Sequence, residues 1–481
     1  MKRASLVLLS LFAGAGSLLA IGGVDAPPAP SAPHEVEFTQ PKETKLANGL
    51  RVVVIERPGL PLLAAEIVVR SGAEVDPTDL AGTASVTGSL LTRGTESMTA
   101  PQIASAIESL GGTIDSGAHW DAARATIVVM SDKAEPALRI LSDVVLHPTF
   151  KQDEIDRLKN QTLDGLRVAM RQPGALAQFV MNRALFGDAP YAHSHTGTME
   201  TVQAIKREDI VKFYQTYYVP ENAALVLSGN LTLEQGRKWA EQFFGEWKGT
   251  LPARDAVPAA TDWKPSNLVV DMPEAGQAAV LLARPGIKRS SPDYYAGIVA
   301  NAALGNGFVS RLNREIRIKR GLSYGARSSL DSRREIGPFS AMAQTKNQSA
   351  GEVAMLIKTE LKRMKTEPVQ GPELKSRQAK LTGDYARSLE TNGGYVGKIS
   401  AMITYDLPLD TINKFIPTIN AITGQDVAAF AAKYFDAPAE LIIIGKAADF
   451  LEPLKKDFPE IRVIPVPELD LNRADLTKAK P

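Results

Sequence analysis

The sequence repeats its own order of strands and helices, and this repeat limits the possible folds more than any other feature. The segment I-V-V-R-S-G at residues 67–72 is similar to L-L-A-R-P-G at residues 281–286. A helix-to-strand segment that ends at Gly229 is likewise similar to one that ends at Gly445. Both pairs lie about 215 residues apart, a period too long for a solenoid of short repeats. The chain is therefore predicted to contain two copies of one domain.

Each copy is predicted to be a sheet covered by helices, so the fold class is α+β with two homologous sandwich domains in a clam-shell duplication. The proline-rich segment 249–267 breaks the periodicity and is predicted to be the linker between them. The first domain then spans residues 37–248 and the second spans residues 268–468. Residues 469–481 are predicted to form a tail.

The composition excludes several classes of protein. The 481 residues carry a formal net charge of +1 and no long basic run, which argues against a nucleic-acid-binding surface. There is no cysteine, so disulfides and thiolate metal sites are excluded.

The first residues predict export of the chain. Two basic residues followed by a short apolar stretch indicate a signal peptide at residues 1–26, with cleavage after Ala20 or Ala26. Residues 27–36 are rich in proline and alanine and are predicted to be a tether. No later segment is apolar for long enough to span a bilayer, so no membrane span is expected in the mature chain. The expected location is the periplasm.

Residues 305–324 form the stretch around which the second copy is organised. A Gly-Asn-Gly turn opens it, and a helical segment with Val309, Leu312 and Ile316 on one stripe is predicted to follow. Gly321 is predicted to end this helix as a left-handed cap.

Arg317 and Tyr324 are predicted to lie at the two sides of that cap. The arginine would leave the last turn of the helix, and the tyrosine would begin the next strand, so their hydrogen-bond donors could converge on one point. A solvated arginine beside an ordinary strand tyrosine gives the same pattern. The spacing alone therefore leaves both interpretations open.

Several local motifs, taken in order across the duplication, resemble the pitrilysin/insulinase-type metallopeptidase family. The resemblance covers residues 37–468 and implies that family's fold. The motifs are G-T-A-x-x-x-x-x-L-L-x-x-G-T at 82–95, L-F-G-D-x-P-Y at 185–191, G-T-x-E-x-V at 197–202, Y-x-P-E-N at 218–222 and R-x-x-x-G-L-S-Y at 317–324.

The zinc motif of that family is missing from this sequence. Catalytic members carry His-x-x-Glu-His, in which both histidines bind zinc and the glutamate is the general base. The matching positions here are Ser85, Gly88 and Ser89, and the third ligand matches Gly165. Neither His-x-x-Glu-His nor His-Glu-x-x-His occurs anywhere in the chain. The resemblance thus implies no catalytic zinc here. Both serines also lack the Gly-x-Ser-x-Gly pattern of hydrolases and are predicted to be packing residues.

The resemblance gives Arg317 and Tyr324 a role in binding substrate. In the family, an arginine and a tyrosine with this spacing reach across a chamber and hydrogen-bond the substrate backbone near the scissile carbonyl. The chain is therefore expected to be the non-catalytic subunit of a two-chain zinc endopeptidase, inactive alone. Its partners would be a homologous zinc-bearing subunit, in a heterodimer, and extended peptides.

Two alternatives to that function stay open. The chain could be an inactive structural or peptide-binding scaffold without a catalytic partner. An active homodimeric peptidase with a rebuilt site is the other interpretation.

The histidines offer a further candidate metal site. His193 and His195 have the spacing of two ligands on one strand, but no third ligand lies nearby in sequence, so they are predicted to lie on a surface loop. His119 and Asp121 are predicted to be a polar pair at a strand end.

Overall fold

The computed structural model describes residues 37–253 and 263–479. The predicted signal peptide, the tether, part of the predicted linker and the last two residues lie outside the described residues. Within the described ranges the chain forms two six-stranded sheets, one from each copy of the repeat. The predicted α+β duplication is confirmed.

The two sheets have the same strand order in five of their six positions, all but the first. The first sheet runs β1-β2-β6-β3-β5-β4 and the second runs β12-β7-β11-β8-β10-β9. Strand β2 pairs in parallel with β6, and β7 pairs in parallel with both β11 and β12, whereas the other neighbouring strands are antiparallel. The first-sheet strands are β1 (Lys42–Lys45), β2 (Arg51–Glu56), β3 (Leu62–Val69), β4 (Thr113–Ala118), β5 (Ala123–Met130) and β6 (Ala223–Gly229). The second-sheet strands are β7 (Asn267–Asp271), β8 (Ala278–Pro285), β9 (Ala326–Leu330), β10 (Pro338–Thr345), β11 (Glu440–Gly445) and β12 (Ile461–Pro465).

Amphipathic helices connect and cover the strands. In the first half they are α1 (Thr83–Leu90), α2 (Ala100–Ser109), α3 (Ala134–Leu146), α4 (Gln152–Met170), α5 (Pro173–Phe186), α6 (Met199–Ala204), α7 (Arg207–Tyr217) and α8 (Leu233–Phe244). In the second half they are α9 (Tyr294–Leu304), α10 (Ala350–Thr366), α11 (Gly371–Ser388), α12 (Asn392–Thr404), α13 (Thr411–Ala421), α14 (Gly424–Tyr434) and α15 (Leu451–Leu454). None of the helices in the described ranges has the length and apolar character needed to cross a bilayer.

Local chemistry explains where these helices begin. Helix α2 starts behind Thr99, whose backbone N–H donates to Gln102 Oε1 at 2.8 Å in a capping box. Its buried positions, Ile103 and Ile107, are one turn apart and face the core. A capping box also begins α14, where Asp426 accepts from the backbone N–H of Thr423 at 2.8 Å.

The two halves exchange helices across their sheets. Helix α5 of the first half packs against β8 and β11, and helix α12 of the second half packs against β3 and β6. The buried α12 side chains Val396, Ile399 and Ile403 lie in one apolar cluster with first-sheet residues such as Val68 and Val226. Each sheet is therefore covered on one face by the other half of the chain. This explains why strands β3 and β6 are apolar on both faces.

The predicted tail is part of the folded structure. Leu469 and Leu476 are buried in the apolar cluster that contains the first-half core. Arg183 of α5, itself buried, donates from Nε to the Leu471 carbonyl at 2.9 Å, and Thr198 donates to Asn472 Oδ1 at 2.9 Å. The last described residues of the second half thus bind the first half.

A buried ion pair joins the halves at a second place. Arg334, in the loop between β9 and β10, donates from Nη1 to Glu74 Oε1 at 2.6 Å. Its Nη2 donates to the carbonyls of Asp121 at 2.9 Å and Arg70 at 3.0 Å. Burial alone would lower the pKa of Arg334, but the carboxylates of Glu74 and Asp121 outweigh burial and raise it. The guanidinium is therefore held as a cation between the two halves.

Candidate substrate-binding site

Arg317 is presented by a π-helix that spans Asn313–Lys319. Leu312 and Ile316 are buried beneath it, as predicted. The prediction is wrong for Val309, which is 49% exposed because the helical segment begins only at residue 311. Helices with this wider turn occur often at functional sites.

Gly321 ends the π-helix in the predicted left-handed conformation, with φ of 62°. Its N–H donates to the Arg317 carbonyl at 3.0 Å, and the N–H of Leu322 donates to the Ile316 carbonyl at 2.9 Å. A residue with a Cβ would be strained at this φ. The cap fixes the direction in which the chain leaves the helix toward Tyr324.

The structure brings Arg317 and Tyr324 together. The guanidinium carbon of Arg317 lies 4.7 Å from the Tyr324 ring centroid and 4.6 Å from that of Phe308, in cation–π contacts. Tyr324 lies two residues before β9 instead of at the start of the strand as predicted, and it is 90% exposed. The two rings hold the guanidinium in place and leave the tyrosine side chain accessible.

Phe308 was not predicted to be part of this arrangement. It follows the Gly-Asn-Gly turn directly and is 61% exposed, so it belongs to no apolar stripe. The sequence signal of Phe308 is its position alone. It directly follows a glycine turn and precedes Arg317 by nine residues.

Tyr324 lines a cavity of about 810 Å³, which we call the central cavity. The β9 residues Arg327 and Ser329 and the turn residue Gly305 line it from the second half, and Gln178 of α5 lines it from the first. Gly305 packs so closely on the Ser328 backbone that a Cβ there would overlap it. The glycine turn is therefore required by close packing beside the cavity.

A second cavity, of about 440 Å³, lies between the halves and shares Gln178 and Ser329 with the central cavity. His119 and His195 line it from the first half, and Asp331 and Arg333 line it from the second. The rings of His119 and His195 are 4.2 Å apart.

The predicted placement of two histidines differs from the structure. The interpretation of His193 as a surface residue is wrong, because its side chain is 5% exposed and its Nδ1 is 2.8 Å from the Ser194 carbonyl. The ring of His119 contacts that of His195 at a tilt of 38°, whereas Asp121 accepts from the Tyr191 hydroxyl. The fold collects ring residues that are far apart in sequence.

We expect this histidine cluster to make stability depend on pH. Burial, together with the charges of His119, Arg333 and His193, lowers the pKa of His195 to about 4 against the opposing effect of Asp331. A folded-state pKa below the unfolded value of about 6.5 favours unfolding on protonation. The stability that neutral His195 contributes is therefore fully present above pH 6.5 and is lost as pH falls toward 4.

Unfolding measured in urea at pH 7 and pH 5 tests this expectation. We expect His195→Gln to reduce the difference in unfolding free energy between pH 7 and pH 5 by about 2 kcal/mol. The matched control is His147→Gln, since His147 is an exposed histidine. An unchanged pH difference in His195→Gln would show that the ring is not buried in its neutral form.

The positions that match the family's zinc motif lie on α1. Ser85 and Ser89 are half-buried and Gly88 is buried. A Cβ on Gly88 would lie 2.6 Å from the Gly117 carbonyl carbon and 2.8 Å from the Ala118 nitrogen, both in β4. Helix α1 thus packs directly on the backbone of β4 and leaves no room for a glutamate.

Gly165, the match to the third ligand, lies on α4 and is exposed, and a Cβ added there would meet no described atom within 4 Å. Helices α1 and α4 pack together, but the residues at these positions supply hydroxyls and hydrogens where zinc takes imidazole and carboxylate ligands. Within residues 37–253 and 263–479, no three His, Cys, Asp or Glu side chains are grouped to hold a metal ion. These positions do not fit a zinc ion.

The α1 positions and the Arg317–Tyr324 pair have different surroundings. Helix α1 packs on β4, β5, α4 and α7, all in the first half, whereas the π-helix packs on β9 and α10. The contacts of these elements do not bring the α1 positions and the Arg317–Tyr324 pair into one site.

The close packing of Gly88 leads to a prediction about stability. We expect Gly88→Glu to destabilise the chain by about 1–3 kcal/mol, because the new side chain must displace β4. The control is Gly165→Glu on exposed α4, where the change should stay within about 0.5 kcal/mol. Urea midpoints for both variants check this, and equal midpoints would contradict the packing of α1 on β4.

Two family models match the chain, one in each half. Residues 51–198 match the model described as insulinase (peptidase family M16), and residues 204–381 match the peptidase M16 inactive domain. The chain belongs to peptidase family M16, the insulinase family. The M16 inactive-domain match covers the π-helix and Tyr324, so the candidate site lies in the part of the chain that resembles that domain.

Solved structures share this fold along most of their length, and a curated sequence relative matches over a similar range. The crystal structure of a peptidase M16 inactive domain from Pseudomonas fluorescens is 29% identical, with a TM-score of 0.79, and covers 84% of this chain and 98% of its own. A protease from Helicobacter pylori is 19% identical with a TM-score of 0.78 and covers 85% and 100%. An uncharacterized zinc protease of Streptomyces coelicolor is 24% identical over 85% of this chain and 90% of its own.

Proposed function

We propose that this chain is the non-catalytic subunit of a two-chain M16 zinc endopeptidase exported to the periplasm. It supplies Arg317, Tyr324 and half of a peptide-binding chamber, and a homologous partner supplies the zinc and the general base. The observation that carries the proposal is the asymmetry of the chain. Tyr324 lines a large cavity and is in cation–π contact with Arg317, while the zinc positions hold Ser85, Gly88 and Ser89.

The geometry of the pair supports a role in binding a carbonyl oxygen. A guanidinium that is fixed between two rings has lost much of its freedom before substrate arrives, so less entropy is lost on binding. Charge-assisted donors of this kind are about twice as strong as neutral ones. The exposed phenol of Tyr324 adds a second donor beside it. Such donors stabilise negative charge as it develops on an attacked carbonyl.

The test compares the chain alone with the chain mixed with a homologous chain from the same source that carries His-x-x-Glu-His. We expect the isolated chain to bind no stoichiometric zinc and to leave an unstructured, quenched-fluorescent peptide intact. The mixture should cleave it faster than the zinc-bearing chain does alone.

The other possible outcomes would contradict all or part of the proposal. One zinc per isolated chain, or hydrolysis by the isolated chain, would overturn it. Peptide binding without any gain on mixing would favour the alternative, an inactive scaffold or peptide-binding protein.

A further inference from the structure

A third cavity, of about 450 Å³, lies among helices of the second half and has an unusual charge. Lys398 of α12 and Arg289, which precedes α9, both line it. Burial lowers the pKa of Lys398, and the positive charge of Arg289 lowers it further. Two cations thus face the same cavity and repel each other.

Neither cation is neutralised by a carboxylate in the described part of the chain. Lys398 Nζ lies 5.4 Å from the Tyr385 ring centroid, and the Arg289 guanidinium lies 3.7 Å from that of Tyr294. The carboxylate of Asp384 also lines the cavity, but it pairs with Lys380 at 2.7 Å and with Arg387. Arg289 also hydrogen-bonds the side chain of Tyr295. These contacts are with tyrosine side chains, which carry no full negative charge to balance the two cations.

Aromatic and apolar side chains form part of the remaining wall, together with polar residues such as Asn301. Tyr385 stacks on Phe415 with ring centroids 4.0 Å apart, and both rings line the space, as do Ile298 and Met402. A cavity of this size holds one large side chain or a small molecule of similar volume. The chemistry that fits is a negative group attached to a large apolar or aromatic body.

The position of the cavity relates it to the proposed function. Asn306, Ser328 and Ser329 line both this cavity and the central cavity that Tyr324 lines. The two spaces therefore meet around strand β9, a strand at the edge of its sheet. A peptide that lies in the central cavity has a short route to the paired cations.

We propose that this cavity binds a carboxylate carried on a large apolar group, and that its source is the C-terminal residue of a bound peptide. Arg289 offers a planar fork that suits a carboxylate, and Lys398 adds a second positive charge. The aromatic wall receives the last side chain. The peptide part of this inference rests on the proposed function, whereas binding of the carboxylate itself does not.

Calorimetry on the isolated full chain tests the proposal without any catalytic partner. N-acetylphenylalanine should bind, and its amide, which lacks the charge, should bind about tenfold more weakly or not at all. Lys398→Met should weaken binding of the acid by about tenfold, while Lys398→Arg keeps the charge and most of the affinity. The control Lys212→Met removes an exposed lysine on α7 and should have no effect.

The results separate the two sources of the carboxylate. A peptide of about eight residues that ends in phenylalanine should bind more tightly than N-acetylphenylalanine, because it also occupies the central cavity. Equal affinities would make the ligand a free carboxylate and overturn the peptide assignment. Equal binding of acid and amide, or unchanged binding in a folded Lys398→Met variant, would overturn the site. Failure of the mixed peptidase to form would leave these binding results intact.

Discussion

Replacing Arg317 with alanine is expected to lower turnover of the two-chain peptidase by about 10²–10³-fold, the usual cost of losing one donor aimed at a developing oxyanion. The loss should appear in kcat and in kcat/KM alike, because the donor acts mainly in the transition state. Assembly should be unaffected, since Arg317 contacts Phe308 and Tyr324 of its own half.

Tyr324→Phe separates the two functions of the tyrosine. The ring that packs on Arg317 remains, and only the hydroxyl is lost, so we expect a similar loss of kcat with the guanidinium still in place. The matched control is Arg314→Ala, which removes an exposed arginine from the same π-helix and should leave turnover unchanged. Steady-state kinetics on the mixed subunits, with assembly followed by size-exclusion chromatography, measures both effects. Wild-type turnover in Arg317→Ala would remove the pair from the mechanism.

Replacing Arg334 with alanine is expected to cost about 3–5 kcal/mol of stability, because it removes the cation that donates to the buried carboxylate of Glu74. The Glu74 side chain is 3% exposed, so water cannot fully replace the lost contact. The same change removes the hydrogen bonds to the carbonyls of Asp121 and Arg70.

Urea unfolding followed by circular dichroism measures this cost. Arg334→Lys should recover little of it, because an ammonium group cannot reach the ion pair and the carbonyls together. The control Arg171→Ala changes an exposed arginine at the end of α4 and should stay within about 0.5 kcal/mol. A small effect in Arg334→Ala would mean that the ion pair adds little to the joining of the halves.

The fold was predictable from the sequence where its signals are local or repeated. The duplication depends on repeated motifs and the Gly321 cap on a few neighbouring residues, and the structure confirms both. Helix α13 could not be predicted in this way. It contains Pro417, a residue that normally breaks a helix interior.

Of the candidate site, only the spacing between Arg317 and Tyr324 was predictable from the sequence. The seven-residue spacing from Arg317 to Tyr324 brings the two side chains into contact, because one helix end and one glycine cap determine the geometry. The ring of Phe308, the burial of His193 and the packing of Gly88 on β4 depend on contacts between distant segments. No local pattern records such contacts.

The exchange of α5 and α12 between the sheets limits how a peptide could enter the proposed chamber. Pulling the two halves of this chain apart would expose Val396, Ile399 and Ile403 to water, at about 1.5–3 kcal/mol for each side chain. Such a hinge inside one polypeptide is too costly for repeated turnover. In the proposed two-chain peptidase, the opening that admits peptide would then lie at the boundary between subunits. This chain would move as one rigid body.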